Sequence, residues 1–185
     1  MVKPVKTVKI SDVRSERQGE ALLRYYLFAI AILLLDQSTK WLVMKKMHLY
    51  ESIPLWQGVF HITSHRNRGA AFGILQDQRW LFIVVTLIVL TAIVFYLVRI
   101  GKSQPLLSWS LACILGGAIG NLVDRIRFSE VVDFLDFRYI NFAIFNIADA
   151  AICIGVGLMV IVTLRQTETD ESDNNSSEKR GIVSE

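Results

Sequence analysis

Cysteine is scarce in this 185-residue chain: Cys113 and Cys153 are the two, and both fall inside apolar segments. A disulfide framework is therefore not expected. The two thiols read as small packing residues, with one structural disulfide as the lesser alternative. Histidine is nearly as scarce. His48, His61 and His65 lack the spacing that sets two ligands on one helical face, and there is no His-Glu-x-x-His; a hydrolytic metal centre is not expected, and neither is any cofactor. A basic face is missing too. Lys and Arg number 20 against 17 Asp and Glu, for a net charge of +3, and they are spread along the chain, which argues against a nucleic-acid partner. No cleavable leader is expected: the N-terminal 1–20 stretch alternates charge with small apolar residues, and the hydrophobic run behind it is too long for an h-region and has no cleavage site.

What the chain has in excess is hydrophobicity, at 52% of residues with a positive mean hydropathy, more than a soluble domain of this length needs. A bilayer core about 30 Å thick takes roughly 20 residues of helix. Four segments qualify: Ala21–Met44, interrupted late by Asp36-Gln37-Ser38-Thr39-Lys40; Trp80–Ile100, uncharged until Arg99; Pro105–Val123, ending in a Gly116 to Asn121 stretch; and Ile147–Leu164, with Asp149 at its start. The fold class expected is an all-α membrane protein of four transmembrane helices, with a small extracytoplasmic β element on the membrane surface. Gly58–Thr63 and Ala70–Ile74 are its candidate strands. The second long connection, with Val131 to Phe137 inside it, is expected to lie along the interface. The organisation is thus a polar cytoplasmic extension over 1–20, a membrane domain over 21–165 with extracytoplasmic loops 45–79 and 125–146, and a disordered polar tail over 166–185 that has too few hydrophobes to order itself. Lys3, Lys6, Lys9, Arg14, Arg17 and Arg24, with Arg99 and Lys102 in the short turn, put both termini in the cytoplasm by the positive-inside rule. Lys45, Lys46, Arg66, Arg68, Arg125 and Arg127 on the other side weaken that bias. Arg24 lies close enough to its interface to snorkel.

Whatever the orientation, four crossings bring the end of the first helix, the start of the second, the end of the third and the start of the fourth to one side. Asp36, Asn121, Asp124, Asn146 and Asp149 gather there. Ionisable groups at membrane depth are costly and mark functional sites by default. Asn121 with Asp124, and Asn146 with Asp149, are at i, i+3 spacing and so share a face. Carboxylates crowded in a poorly hydrated cleft share a proton, the arrangement by which aspartic proteases activate water with one acid and polarise a carbonyl with the other. A serine–lysine pair is disfavoured, because Ser38 and Lys40 lie two apart on a helix; Lys40 is placed to pair with Asp36.

Five blocks carry a resemblance: Asp36-Gln-Ser-Thr-Lys40, Asn67-Arg-Gly-Ala-Ala-Phe72, Gly117-Ala-Ile-Gly-Asn121-Leu-Val-Asp124-Arg125, Val131-Val-Asp133-Phe134 and Phe145-Asn146-Ile-Ala-Asp149. In this order, on four apolar segments, they resemble the bacterial lipoprotein signal peptidases (signal peptidase II). The N-terminal extension and acidic tail depart from that pattern but lie outside the blocks. The resemblance implies an intramembrane aspartic endopeptidase of the inner membrane. It would cleave diacylglyceryl-modified prolipoproteins just before the lipidated cysteine, with no metal, with membrane lipids around it, and as a monomer. It also implies that Asp133 and Asp149 are the catalytic pair.

Each residue has a plainer reading. Asp149 could merely complement a helix dipole. Asp124 competes with Asp133 for the second catalytic role, but its neighbour Arg125 or another cation would make it an ion-paired support. Asp133, set among Val131, Val132, Phe134 and Leu135, would have its pKa raised by desolvation. Asn121, Asn146 and Arg125 are expected to hold substrate or satisfy polar groups at the interface. Asn67 would hold substrate backbone or make a turn, and Asp36 with Lys40 would organise the site. Asp136 reads as an interfacial acid only. Gly116 and Gly120 read as a helix-packing pair, and Gly69 and Gly73 as possible hinges of a lid. The rival functions are a proton- or cation-coupled carrier, which would spread its acids through the bilayer, and an assembly factor whose acids bind partner helices.

Overall fold

The structure, a computed structural model, describes residues 10–69, 74–101 and 103–182, with side chains over 19–166 of that range. Helix α1 (Ile10–Lys46) leads into strands β1 (Ser52–Trp56) and β2 (Phe60–Asn67). Helices α2 (Arg79–Ile100) and α3 (Pro105–Phe128) follow, then β3 (Val131–Phe137), a short 3₁₀ turn (Arg138–Ile140) and α4 (Ile147–Ile182). Four stretches among the described residues are long and apolar enough to span a bilayer: Gly19–Lys46, Arg79–Ile100, Pro105–Phe128 and Ile147–Gln166. Helices suit that solvent because each satisfies its own backbone polar groups.

Helix α3 is the centre of the bundle. Of its apolar window 72% is buried, against 17–22% for the other three, and it packs on α1, α2 and α4. Glycines make the approach possible. A Cβ on Gly116 would lie 2.6 Å from the Ala29 carbonyl of α1, and one on Gly117 would collide with the Ala148 carbonyl of α4. One on Gly120 would meet the Asp36 carboxylate, so Gly116 and Gly120 both face α1, as their spacing predicts. Tyr25, Ala29, Ile93, Leu97, Leu111 and Leu115 fill the bundle away from the sheet. Leu27, Leu34, Ile88, Val94, Ile161 and Leu164 point outward, as helices facing lipid require.

The sheet has the order β1-β2-β3, antiparallel throughout, with Gly58 at φ +74° turning the first hairpin. It corrects the sequence reading in two places. Val131–Phe137 is a strand and not merely an interfacial connection. Ser52–Trp56 is a strand as well, and its Pro54 is tolerated because β1 is an edge. The expected strand Ala70–Ile74 lies outside the described residues except for Ile74, which sits in a turn. The tail expected to be disordered continues α4 as helical backbone to Ile182; after Gly157 no glycine or proline interrupts it before Gly181. Of the expected extension over 1–20, residues 10–20 are helical; the rest of it, and 183–185, lie outside the described residues.

Candidate active site

Local structure brings Asp133 and Asp149 to one place. Strand β3 alternates: Val131 and Asp133 line a cavity, while Val132 and Phe134 pack on Val43 of α1. Beyond the 3₁₀ turn the chain folds back, and Phe145 pairs with Leu135 (Phe145 N–H to Leu135 carbonyl 3.1 Å, Leu135 N–H to Phe145 carbonyl 2.8 Å). That pairing delivers Asn146 to the start of α4, where the Asp149 N–H donates to Asn146 Oδ1 at 2.9 Å and the Asn146 N–H donates to Asp149 Oδ2 at 3.2 Å. This reciprocal cap satisfies orphan donors of the first turn and fixes the Asp149 side chain.

Carboxamides link the two acids. Asn146 Nδ2 donates to Asp133 Oδ1 at 2.7 Å and to Asn121 Oδ1 at 3.2 Å, and Asn121 Nδ2 donates to Asp149 Oδ1 at 2.7 Å. Asn67 Nδ2 donates to the other Asp133 oxygen at 3.0 Å. Beneath them lies a buried ionic layer. Lys40 Nζ reaches Asp36, Asp124 and the Asn121 oxygen, each at 2.9 Å, with Lys40, Asp36 and Asp124 at most 1% exposed. The acids of this layer also brace backbone. Asp36 accepts from the Ala148 N–H at 2.9 Å, and Asp124 accepts from the Val132 N–H at 3.2 Å; they tie α1 to the start of α4, and α3 to the start of β3. Gln37, missed by sequence reasoning, donates to Asp124 at 2.9 Å and to the Gly120 carbonyl at 3.1 Å.

The cavity, about 520 Å³, opens onto both acids and is walled by Phe82, Phe142, Ile144, Phe145 and Ile152. Arg125 lines it, stacked 4.6 Å from the Phe82 ring, and donates to the Gly69 carbonyl at 3.2 Å. Asp133, 1% exposed, has its pKa raised to about 7, first by burial and then by the charge of Asp149. His65, opposite Asp133 in the β2–β3 register, is held below its usual pKa by burial and by Arg66.

All nine sequence-predicted residues are thus in one connected region: Asp133, Asp149, Asn67, Asn121 and Arg125 on the cavity, and Asn146, Asp36, Lys40 and Asp124 joined to it. Asp124 pairs with Lys40 and not with its neighbour Arg125. Two readings need correction. Asp136 is buried, accepting from Thr63 Oγ1 at 2.7 Å and from Arg138 at 2.9 Å. Cys153, taken as a packing residue, is an exposed free thiol on the cavity wall; the signal for it and for Ile152 was their i+4 and i+3 spacing from Asp149.

Fold and site together define a multi-pass membrane enzyme whose polar groups form an acid-and-carboxamide centre on an apolar cavity. The family model described as Signal peptidase (SPase) II matches residues 28–165, and the chain belongs to that family, making it a protease of the aspartic type. It is 58% identical over 137 residues to the lipoprotein signal peptidase of Brevibacillus brevis, covering 74% of this chain and 92% of that one. It is 50% identical over 155 residues to the lipoprotein signal peptidase of Halalkalibacterium halodurans, covering 82% and 99%. A bacterial membrane enzyme solved by the in meso method at 2.3 Å resolution is 35% identical and superposes with a TM-score of 0.74, covering 79% of this chain and 90% of that one.

Proposed function

We propose that this chain cleaves diacylglyceryl-modified prolipoproteins immediately before the lipidated cysteine, with Asp133 and Asp149 as the catalytic pair. The observation that carries the assignment is the shared mounting of the two carboxylates: Asn146 and Asn121 hold both, on one cavity wall. Asp133, buried and raised to about 7, holds the proton and donates it to the oxygen of the scissile carbonyl. Asp149, the ionised partner, takes a proton from a water that attacks the carbonyl carbon. Collapse of the tetrahedral species breaks the C–N bond, with the proton from Asp149 passing to the leaving amine and that on the gem-diol returning to Asp133. The apolar wall suits a hydrophobic signal segment, and Asn67 and Arg125 flank the place its backbone would take. Both termini are cytoplasmic in this reading, with the site near the outer leaflet and the enzyme a monomer in the lipid; the basic residues before the first span and in the α2–α3 turn support that orientation.

The test is cleavage of a diacylglyceryl-modified prolipoprotein by purified protein, followed by gel shift. Wild type should cut, while Asp133→Asn and Asp149→Asn should each lose activity by about 10³-fold or more while staying folded. An active Asp133→Asn beside a dead Asp124→Asn would move the second role to Asp124. A wild type inert on lipidated substrate would sink the reading.

A further inference from the structure

A second cleft, about 360 Å³, lies between the start of α2 and the end of α3 and shares no wall residue with the first. Arg68, Asp77, Arg79, Trp80, Phe128 and Glu130 line it, with Ser129. Arg79 opens one bilayer-spanning stretch and Phe128 closes another, which puts the cleft at the depth where hydrocarbon gives way to headgroups. Trp80 is 71% exposed on that rim, as interfacial aromatics are.

The charges in the cleft are unevenly matched. Glu130 already serves Arg66 at 3.6 Å and Arg68 at 3.3 Å, and Arg68 is 4.0 Å from Asp77. Arg79 pairs with no carboxylate among the described residues. One of its terminal nitrogens donates to the Ile126 carbonyl at 2.8 Å, and its guanidinium lies 5.3 Å from the Trp80 ring. Its Nε is buried without a hydrogen-bond partner, a state that folded proteins seldom leave uncompensated. A guanidinium whose charge no carboxylate answers, beside a second arginine and a serine hydroxyl, matches a phosphate group.

We propose that this cleft binds the phosphodiester headgroup of a membrane phospholipid. Arg79 and Arg68 take the phosphate oxygens, while Asp77 accepts from the hydroxyl or ammonium of the headgroup. The exposed Trp80 and Phe128 rings meet the glycerol and upper acyl chain. Such a lipid fills the gap between α2 and α3 without entering the acid centre, and the proposal holds whichever substrate that centre cuts.

Native mass spectrometry of the delipidated full-length protein in detergent tests this, with added phosphatidylglycerol, phosphatidylethanolamine, diacylglycerol or inorganic phosphate. One phospholipid should be retained per chain, and diacylglycerol of equal chain length and phosphate alone should not. Arg79→Gln should weaken retention about tenfold, the scale of one charged hydrogen bond. If Arg79→Gln disturbs folding, judged by its melting temperature, Glu130→Gln decides: removing the competing carboxylate should tighten phosphatidylglycerol binding. Retention indifferent to Arg79→Gln in a folded variant, diacylglycerol held as well as phospholipid, or Glu130→Gln without tightening would each overturn the proposal. Phosphate binding alone as tightly would make this a free-anion site and overturn the lipid assignment.

Discussion

Lys40 has no hydrogen left to give. Its three N–H donors go to Asp36, Asp124 and Asn121, and through Asn121 the buried layer sets the amide that holds Asp149. Lys40→Met is therefore expected to strand two buried carboxylates and cost about 3–5 kcal/mol, read as a large fall in melting temperature in detergent; a variant as stable as wild type would show that the layer carries no strain of charge. At Asp133 the expectation concerns pH. Its pKa, raised to about 7, keeps it protonated below neutrality and ionised above. A reaction that needs its proton should run freely below pH 7 and lose close to tenfold in kcat/KM for each unit well above it. A profile flat from pH 6 to 9 would take the proton away from Asp133.

Among the elements, α3 is the one least tolerant of added bulk. A Cβ at Gly117 would meet the Ala148 carbonyl and the Ile152 side chain, both on the helix that carries Asp149. Gly117→Ala is expected to cost about 1–3 kcal/mol in stability and to reduce cleavage as well, whereas Gly157→Ala, with open space around it, should do neither; comparing the two by thermal melting and turnover checks this. The helices were legible because hydrophobic runs of bilayer length have few other meanings. Of the strands only β2 was legible, where the expected Gly58–Thr63 overlaps Phe60–Asn67. Val131–Phe137 is a short apolar run that reads equally as interfacial loop, and only its register with β2, a long-range fact, makes it β3. The site was legible in outline because the connectivity of four spans forces Asp36, Asn121, Asp124, Asn146 and Asp149 to one side. That Asp124 answers to Lys40 on α1 and not to adjacent Arg125 was out of reach, since the i, i+4 rule sees only partners on one helix. Asp136 was misjudged for the same reason: Thr63 and Arg138, which bury it, are brought by the sheet and the turn after it.

At the scale of the whole molecule, large hydrophobic side chains stand exposed along α1, α2 and α4, and the polar centre joins the ends of the spans to the sheet. Single cysteines at Gln57 and at Ser103, in a chain with Cys113 and Cys153 replaced, should label from opposite faces of sealed cells, Gln57 with an impermeant maleimide and Ser103 only after permeabilisation. The reverse pattern would invert the proposed orientation. The pairing of Asp36 with Lys40 inside one helix also bears on how the protein is made. The first span leaves the ribosome with its anion and cation already facing each other one turn apart, and so enters lipid carrying no net charge from this pair, long before Asp124 and Asn121 have been synthesised. Their later arrival converts a self-contained dipole into the keystone of the bundle. Lys40→Met, which sends Asp36 in alone, should then lower the fraction of first spans integrated in a glycosylation-mapping assay, even in a chain truncated before α3; equal integration would show that the translocon does not sense the pair.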